Sequence, residues 1–276
     1  MEGNAALNPT RKKITAPAIR AAKAAGRRLA ALTAADFITA RLLDEAGIEI
    51  ILVGDSLGTT YLGHESTVFV RMADMVHHTA AVARARPAAL VVADLPFGAY
   101  QESPAQAVRN ATRLVRAGGA EAVKLEGGAE YAGRVRAIVE AGIPVMAHLG
   151  LLPQSVLREG GYKIRGRTSE EAARLEADLR AVEEAGAFAV VLEYVASATA
   201  RRLTERAVIP TIGIGSGSGC DGQVLVTSDL LGLQAWLAPR AARRYAELGA
   251  TMRKAFARFA ADVRRGKFPG RKETLA

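Results

Sequence analysis

Apolar residues along this chain fall into two alternating patterns. Short unbroken runs occupy 29–33, 48–53, 88–93, 120–125, 143–147, 187–192 and 208–214. They are too short for helices and suit strands buried on both faces. Most of the stretches between them carry helical spacing. In "SPAQAVRNATRLVRA" (103–117), Val108, Ala111, Thr112 and Val115 recur at helical intervals, Ser103 stands as N-cap and Pro104 opens the first turn. A second helix is predicted from Thr168 or Ser169 through "EEAARLEADLRAVEEAG". The joints repeat as well: "EAGIEI" (45–50), "EAGIPV" (140–145) and "EAGAFAV" (184–190) each close a helix with Ala-Gly and start a strand at once, and "RAGGAEAV" (116–123) is the same joint with one more glycine. Strands and helices alternating this tightly predict a parallel sheet. Seven strands, with an eighth expected near 229–236, predict an α/β fold closed as a (β/α)8 TIM barrel rather than an open doubly wound sheet. A single barrel domain over 1–276 is expected, with a flexible basic tail at 1–13 and a helical C-terminal extension at 239–276.

Composition narrows this picture only at the edges. Half of the 276 residues are apolar and about a quarter charged, an ordinary globular balance. The net charge of +9 is uneven: residues 1–28 carry +6 and 239–276 carry +8, leaving −5 on the predicted barrel. A nucleic-acid reader would set its basic face on the folded core with aromatics among the charges. Basic ends and scarce aromatics point instead to solvated or subunit-contacting helices, so no nucleic-acid partner is expected. No run of 18 apolar residues appears, and no membrane span is expected. The lone Cys220 excludes an intramolecular disulfide and fits a reducing, cytoplasmic compartment. An Ala-rich, basic, nearly acid-free N-terminus keeps a transit-peptide reading open.

The chemistry collects at strand ends. Asp55-Ser56, Asp94, Lys124 with Glu126, His148 and Glu193 lie at or just beyond the C-terminal ends of five predicted strands, the face where barrels of this kind place their active sites. Each residue alone admits a plainer reading. Asp94 could cap the turn at "DLPF", Lys124 could snorkel from a strand end, and His148 could be a core histidine bonded to backbone. Taken together, four carboxylates around one mouth repel each other unless a cation or a shared proton intervenes. Oxygen ligands without a cysteine cluster or paired histidines suit a hard cation, Mg2+ before Zn2+. Lys124 and Glu126, two residues apart, leave the same strand face and can pair. "GIGSGSG" (213–219) offers an anion-cradle reading or a close backbone approach, and no P-loop lysine follows it.

Nine stretches, "LVGDSLG" (52–58), "GHEST" (63–67), "VADLPF" (92–97), "VKLEGG" (123–128), "HLGLLPQS" (148–155), "GGYKIRGR" (160–167), "IPTIGIGSG" (209–217), "CDGQVLV" (220–226) and "GKFPG" (266–270), run colinear with ketopantoate hydroxymethyltransferases, and the chain resembles that family from about Ile14 to Gly270. The resemblance implies Mg2+-dependent transfer of a hydroxymethyl group from 5,10-methylenetetrahydrofolate to 3-methyl-2-oxobutanoate, giving 2-dehydropantoate for pantothenate and coenzyme A synthesis, in a homo-oligomer that is commonly a decamer. It implies Asp55 and Asp94 as Mg2+ ligands, with Glu126 completing the site directly or through water. Ser56 and Lys124 would hold the substrate carboxylate, His148 would line the pocket and Glu193 would accept the proton. The chain departs from the family at Ala35, where Tyr is usual, at Phe69 and Arg71, at Tyr194 after the base, and in its tail. Two alternatives stay open: a Mg2+-dependent enzyme making or breaking a C–C bond in another 2-oxo acid, like the phosphoenolpyruvate mutase and isocitrate lyase group, and a non-catalytic paralogue.

Overall fold

A computed structural model describes residues 11–234 and 241–274. Eight parallel strands close a barrel in simple sequence order: β1 (Leu29–Thr33), β2 (Ile50–Val53), β3 (Leu90–Asp94), β4 (Ala122–Glu126), β5 (Val145–Gly150), β6 (Ala189–Glu193), β7 (Thr211–Ile214) and β8 (Gly222–Leu225), with β8 pairing back onto β1. The predicted (β/α)8 barrel is the observed fold. Helices fall where the spacing puts them. Ser103 accepts a hydrogen bond from the Gln106 amide to cap Pro104–Arg116, and Thr168 with Glu171 forms a capping box on Ser169–Glu184. The repeated joints carry Gly47, Gly142 and Gly186 at φ of +86°, +87° and +95°, a region that glycine enters without steric cost.

The eighth strand corrects the sequence-based expectation. It lies at Gly222–Leu225, while Thr227–Leu230 is a short helix and 235–236 fall outside the described residues. The strand was hard to read because it is four residues long and starts on Gly222. That glycine is required, since a Cβ there would sit 2.5 Å from the Leu29 carbonyl oxygen.

Two layers of apolar packing follow from the period of two along each strand. One cluster joins Leu90 and Val92 of β3, Ala122 of β4, Met146 of β5, Ala189 and Val191 of β6, and their equivalents inside the barrel. The helix Ala16–Ala24 adds Ala16, Ile19 and Ala22 to that cluster. The alternate residues, such as Val91, Val123, Ala147 and Val190, pack outward under the surrounding helices. Counting on by twos from the inner set gives Asp94, Lys124, Glu126, His148 and Glu193. The polar residues therefore continue the inward-facing rows, one step beyond the apolar filling.

The tertiary contacts divide the chain into two compact units, one ending at Leu225 and one beginning at Val226. The second contains the helix Leu248–Arg264. Among the described residues no helix is long and apolar enough to cross a membrane.

Candidate active site

Strand register builds the site. Asp94 stands opposite Lys124, and Glu126 opposite His148, across neighbouring strands, while β6 brings Glu193 level with Gly150 of β5. Asp55 lies two residues beyond the end of β2, and its amide donates to Asp94 Oδ2 at 3.1 Å. Gly54 keeps that turn tight, because an added Cβ would come within 3.1 Å of Ser56 Oγ. All seven residues singled out in the sequence thus fall at one end of the barrel. Ser56 is half-buried at the start of the short helix Leu57–Thr60, and its hydroxyl makes no capping bond there.

Asp55, Asp94, Glu126, Lys124 and His148 are all buried, whereas the Glu193 side chain stays 18% exposed at the edge. Lys124 Nζ lies 2.9 Å from Asp94 Oδ1. That contact is one of charge, since Asp94 Oδ1 has no hydrogen-bond partner of good geometry. Burial opposes the Lys124 ammonium, but Asp94, Glu126 and Asp55 outweigh it and raise its pKa above the ordinary value. His148 Nδ1 lies 3.4 Å from Lys124 Nζ and 3.7 Å from Glu126 Oε1, and its Nε2 lies 3.3 Å from Glu193 Oε2. Burial first, then Lys124, lowers the His148 pKa, so the ring is neutral. An ammonium can only donate. Nδ1 therefore presents its lone pair to Lys124, and the ring proton sits on Nε2, toward Glu193.

The carboxylates crowd one another. Burial and the charge of Asp94 push Asp55 up to about 7, and burial with the charge of Asp55 raises Glu126 well above the carboxylate range. One lysine does not neutralise four acids. A divalent cation would, and Asp94 Oδ1 is a buried oxygen without a hydrogen-bond partner. Among the described residues no three acidic, histidine or cysteine side chains form a ready ion cage. Mg2+ takes one or two carboxylates and keeps water and substrate for its other positions. The donor set fits Mg2+ and gives no reason to prefer a softer metal.

Two residues of the site escaped sequence reasoning. The Gln154 amide nitrogen donates to Asp55 Oδ2 at 2.8 Å and to the Leu95 carbonyl at 3.0 Å, while its backbone N–H donates to Glu126 Oε2 at 3.0 Å. Tyr100 donates its hydroxyl proton toward Gln154 Oε1 and the Glu126 carbonyl. Gln154 lies in the quoted "HLGLLPQS" stretch, but nothing local marks a glutamine as the tie between two acids from other strands. In the glycine-rich turn at 213–219, Ser216 Oγ donates to the Leu192 carbonyl at 2.7 Å and accepts from the Val195 amide at 3.0 Å.

His64 and His77 are not among these contacts. His64 stacks edge-on against Phe69, His77 against His78, and His78 Nδ1 meets the Ala35 carbonyl at 2.7 Å. Of the departures, Arg71 is exposed and bound to Asp74, capping the helix Met72–Ala83. Tyr194 adopts a φ of +48° directly after Glu193, a conformation disfavoured for a residue with a Cβ and seen mainly where the surroundings impose it.

Residues 13–271 match the family described as ketopantoate hydroxymethyltransferase. A 3-methyl-2-oxobutanoate hydroxymethyltransferase of Ignicoccus hospitalis is 53% identical over 259 residues, which cover 94% of this chain and 98% of that protein. Its counterpart from Hyperthermus butylicus is 54% identical over 260 residues, covering 94% and 90%. Among solved structures, a phosphonopyruvate hydrolase in complex with oxalate and Mg++ aligns at a TM-score of 0.63 and 18% identity, covering 94% of this chain and 93% of that one. A 2,3-dimethylmalate lyase of the PEP mutase/isocitrate lyase superfamily aligns at 0.60 and 19%, covering 94% and 91%. These two likenesses are of fold.

Proposed function

Since the chain belongs to the ketopantoate hydroxymethyltransferase family, a family of transferase enzymes, we propose that it moves a one-carbon unit from 5,10-methylenetetrahydrofolate to carbon 3 of 3-methyl-2-oxobutanoate. The product, 2-dehydropantoate, would enter pantothenate and coenzyme A synthesis. The supporting observation is the grouping of Asp55, Asp94, Glu126 and Lys124 in a buried cluster, with Glu193 at its solvent edge. Mg2+, when held by Asp55 and Asp94 with Glu126 directly or through water, would supply Lewis-acid polarisation of the substrate ketone. A Mg++ and oxalate complex of a similarly folded phosphonopyruvate hydrolase is in keeping with this.

The residues then divide the work. Lys124 and the Ser56 hydroxyl offer positive charge and a donor to the substrate carboxylate. Glu193 accepts the carbon-3 proton, with His148 Nε2 3.3 Å from its carboxylate. The resulting carbanion bonds to the donor's methylene carbon, both of that carbon's bonds to the donor nitrogens break, and water supplies the oxygen of the new hydroxymethyl group. The carbon-3 proton and one proton of that water end on the two donor nitrogens, giving tetrahydrofolate, so no oxidant or reductant is required.

A lyase reading gains nothing, because lyases of the related fold lean on a reactive cysteine and Cys220 is buried, its thiol pushed up by burial. We place the enzyme in the cytoplasm as a homo-oligomer, a decamer by the family resemblance. Consistent with assembly, the helix Leu248–Arg264 exposes Leu248, Met252, Phe256, Phe259 and Val263 at helical spacing.

Deuterium exchange at carbon 3 of 3-methyl-2-oxobutanoate, followed by NMR with Mg2+ and without folate, tests the reading. Wild-type protein should exchange, and Glu193→Gln should slow exchange by about 100-fold or more while the oxo acid still binds. Exchange undiminished in Glu193→Gln would assign the base to another residue.

A further inference from the structure

The segment between β5 and the helix Ser169–Glu184 is fastened at both ends to the site, and in its middle Glu159 pairs with Arg158 and Arg165. At one end Gln154 is bonded to Asp55 and Glu126. At the other, the Arg165 amide donates to the Tyr194 carbonyl at 2.9 Å, the Ala196 amide to the Arg165 carbonyl at 2.8 Å, and Thr199 Oγ1 to the Gly166 carbonyl at 2.8 Å. These bonds seize the residues immediately after Glu193. Between the two anchors stand Gly160 and Gly161, at φ of +67° and +130°, with nothing within 4 Å of where a Cβ would be. A cavity of about 470 Å³ lies between the segment and the helix Ser169–Glu184, walled by Leu152, Arg158, Glu159 and Arg165 from the segment side and by Arg174 and Asp178 of that helix. Fixed ends, unpacked glycines and adjoining space are the conditions for a hinged flap.

What the segment carries is out of keeping with a solvated loop. Leu157, Tyr162 and Ile164 are 78%, 61% and 42% exposed. Tyr162 is thus largely open to solvent, and partial burial together with the charges of Glu193, Asp55 and Glu126 raises its pKa.

We propose that residues 154–165 form a strap that closes over the barrel mouth when the oxo acid binds, and that Tyr162 is the positioning residue it lowers beside Glu193. Closure buries the three exposed apolar side chains and shuts bulk water away from the carbanion. Water is the competing reactant at that stage, since reprotonation of carbon 3 regenerates substrate and forfeits the transfer. The strap thereby biases the intermediate toward the one-carbon donor. This inference rests on the activity proposed above.

Two measurements test it. In the complete reaction with Mg2+ and folate donor in deuterated water, the ratio of carbon-3 deuterium in recovered substrate to product formed is read by NMR. Tyr162→Ala should raise that ratio at least tenfold, and Tyr162→Phe should restore most of the wild-type value, since the ring does the shielding. A purely structural role would depress exchange and transfer together and leave the ratio unchanged, which would overturn the proposal. Independently, trypsin cleavage after Arg158 and Lys163 in the intact wild-type enzyme should slow several-fold on adding 3-methyl-2-oxobutanoate and Mg2+. Equal cleavage with and without substrate, in protein that carries out exchange, would also overturn the strap. Wild-type protein showing neither exchange nor turnover would instead overturn the underlying activity.

Discussion

Gln154 shows how much one neutral side chain can settle in a charged site. Its amide satisfies Asp55 and the Leu95 carbonyl, and its backbone satisfies Glu126, so it holds two repelling carboxylates in one arrangement. Replacing it with Ala leaves buried acceptors unpaired, each at a cost of about 1–3 kcal/mol. It also removes a hydrogen bond that lowers the Asp55 pKa. Gln154→Ala should therefore melt at lower temperature and shift the acidic limb of the pH–rate profile to higher pH; an unchanged profile would deny Gln154 this role. Asp55 itself makes stability depend on pH. Its carboxyl titrates near 7 in the folded chain against 3.8 as a free side chain. The folded state thus binds the proton more tightly, and metal-free protein should lose stability as pH rises from about 4 to about 7, by at most about 1.4 kcal/mol per pH unit from this proton. Melting in a chelator at pH 6 and pH 8 checks the sign, and added Mg2+ should raise the melting temperature more at pH 8, where the carboxylate is free.

At the scale of elements, the pairing of β5 with β6 brings His148 and Glu193 together. Gly150, at a φ of +99°, lies so near that an added Cβ would stand 2.3 Å from the Glu193 carbonyl oxygen. Gly150→Ala must strain one strand end or displace the other, at a cost of about 1–3 kcal/mol. Because the displaced element bears Glu193, carbon-3 exchange should fall by a larger factor than the stability loss alone explains, measured on protein shown by circular dichroism to be folded. The elements themselves were legible in the amino-acid sequence because their signals are local: apolar runs, the Ser103 cap, the Thr168 capping box and the Ala-Gly joints. Strand β8 was not, because four residues beginning with glycine carry no periodic signal, and their strand state comes from pairing with β1 and β7.

For the whole molecule, the exposed apolar residues of the helix Leu248–Arg264 bear on assembly. Exchanging Phe256 and Phe259 together for Glu places charge on that face and should shift the sedimenting species toward monomer. A wild-type protein that sediments as monomer would end the oligomer proposal.

Much of this protein is written in its order of residues. Alternation by twos sets Asp94, Lys124, Glu126, His148 and Glu193 on the inward rows, and the repeating strand–helix unit makes closure of the barrel the way to bury both faces of every strand. What only the tertiary structure decided is how those groups meet: Gln154 between Asp55 and Glu126, His148 between Lys124 and Glu193, the proton affinity of Asp55, and a segment anchored beside Glu193. The physical reason is range. Periodicity and capping act over a few residues, whereas hydrogen bonds and charges in a buried site act across strands from 24 to 99 positions apart, and their strength depends on a burial that no local stretch contains.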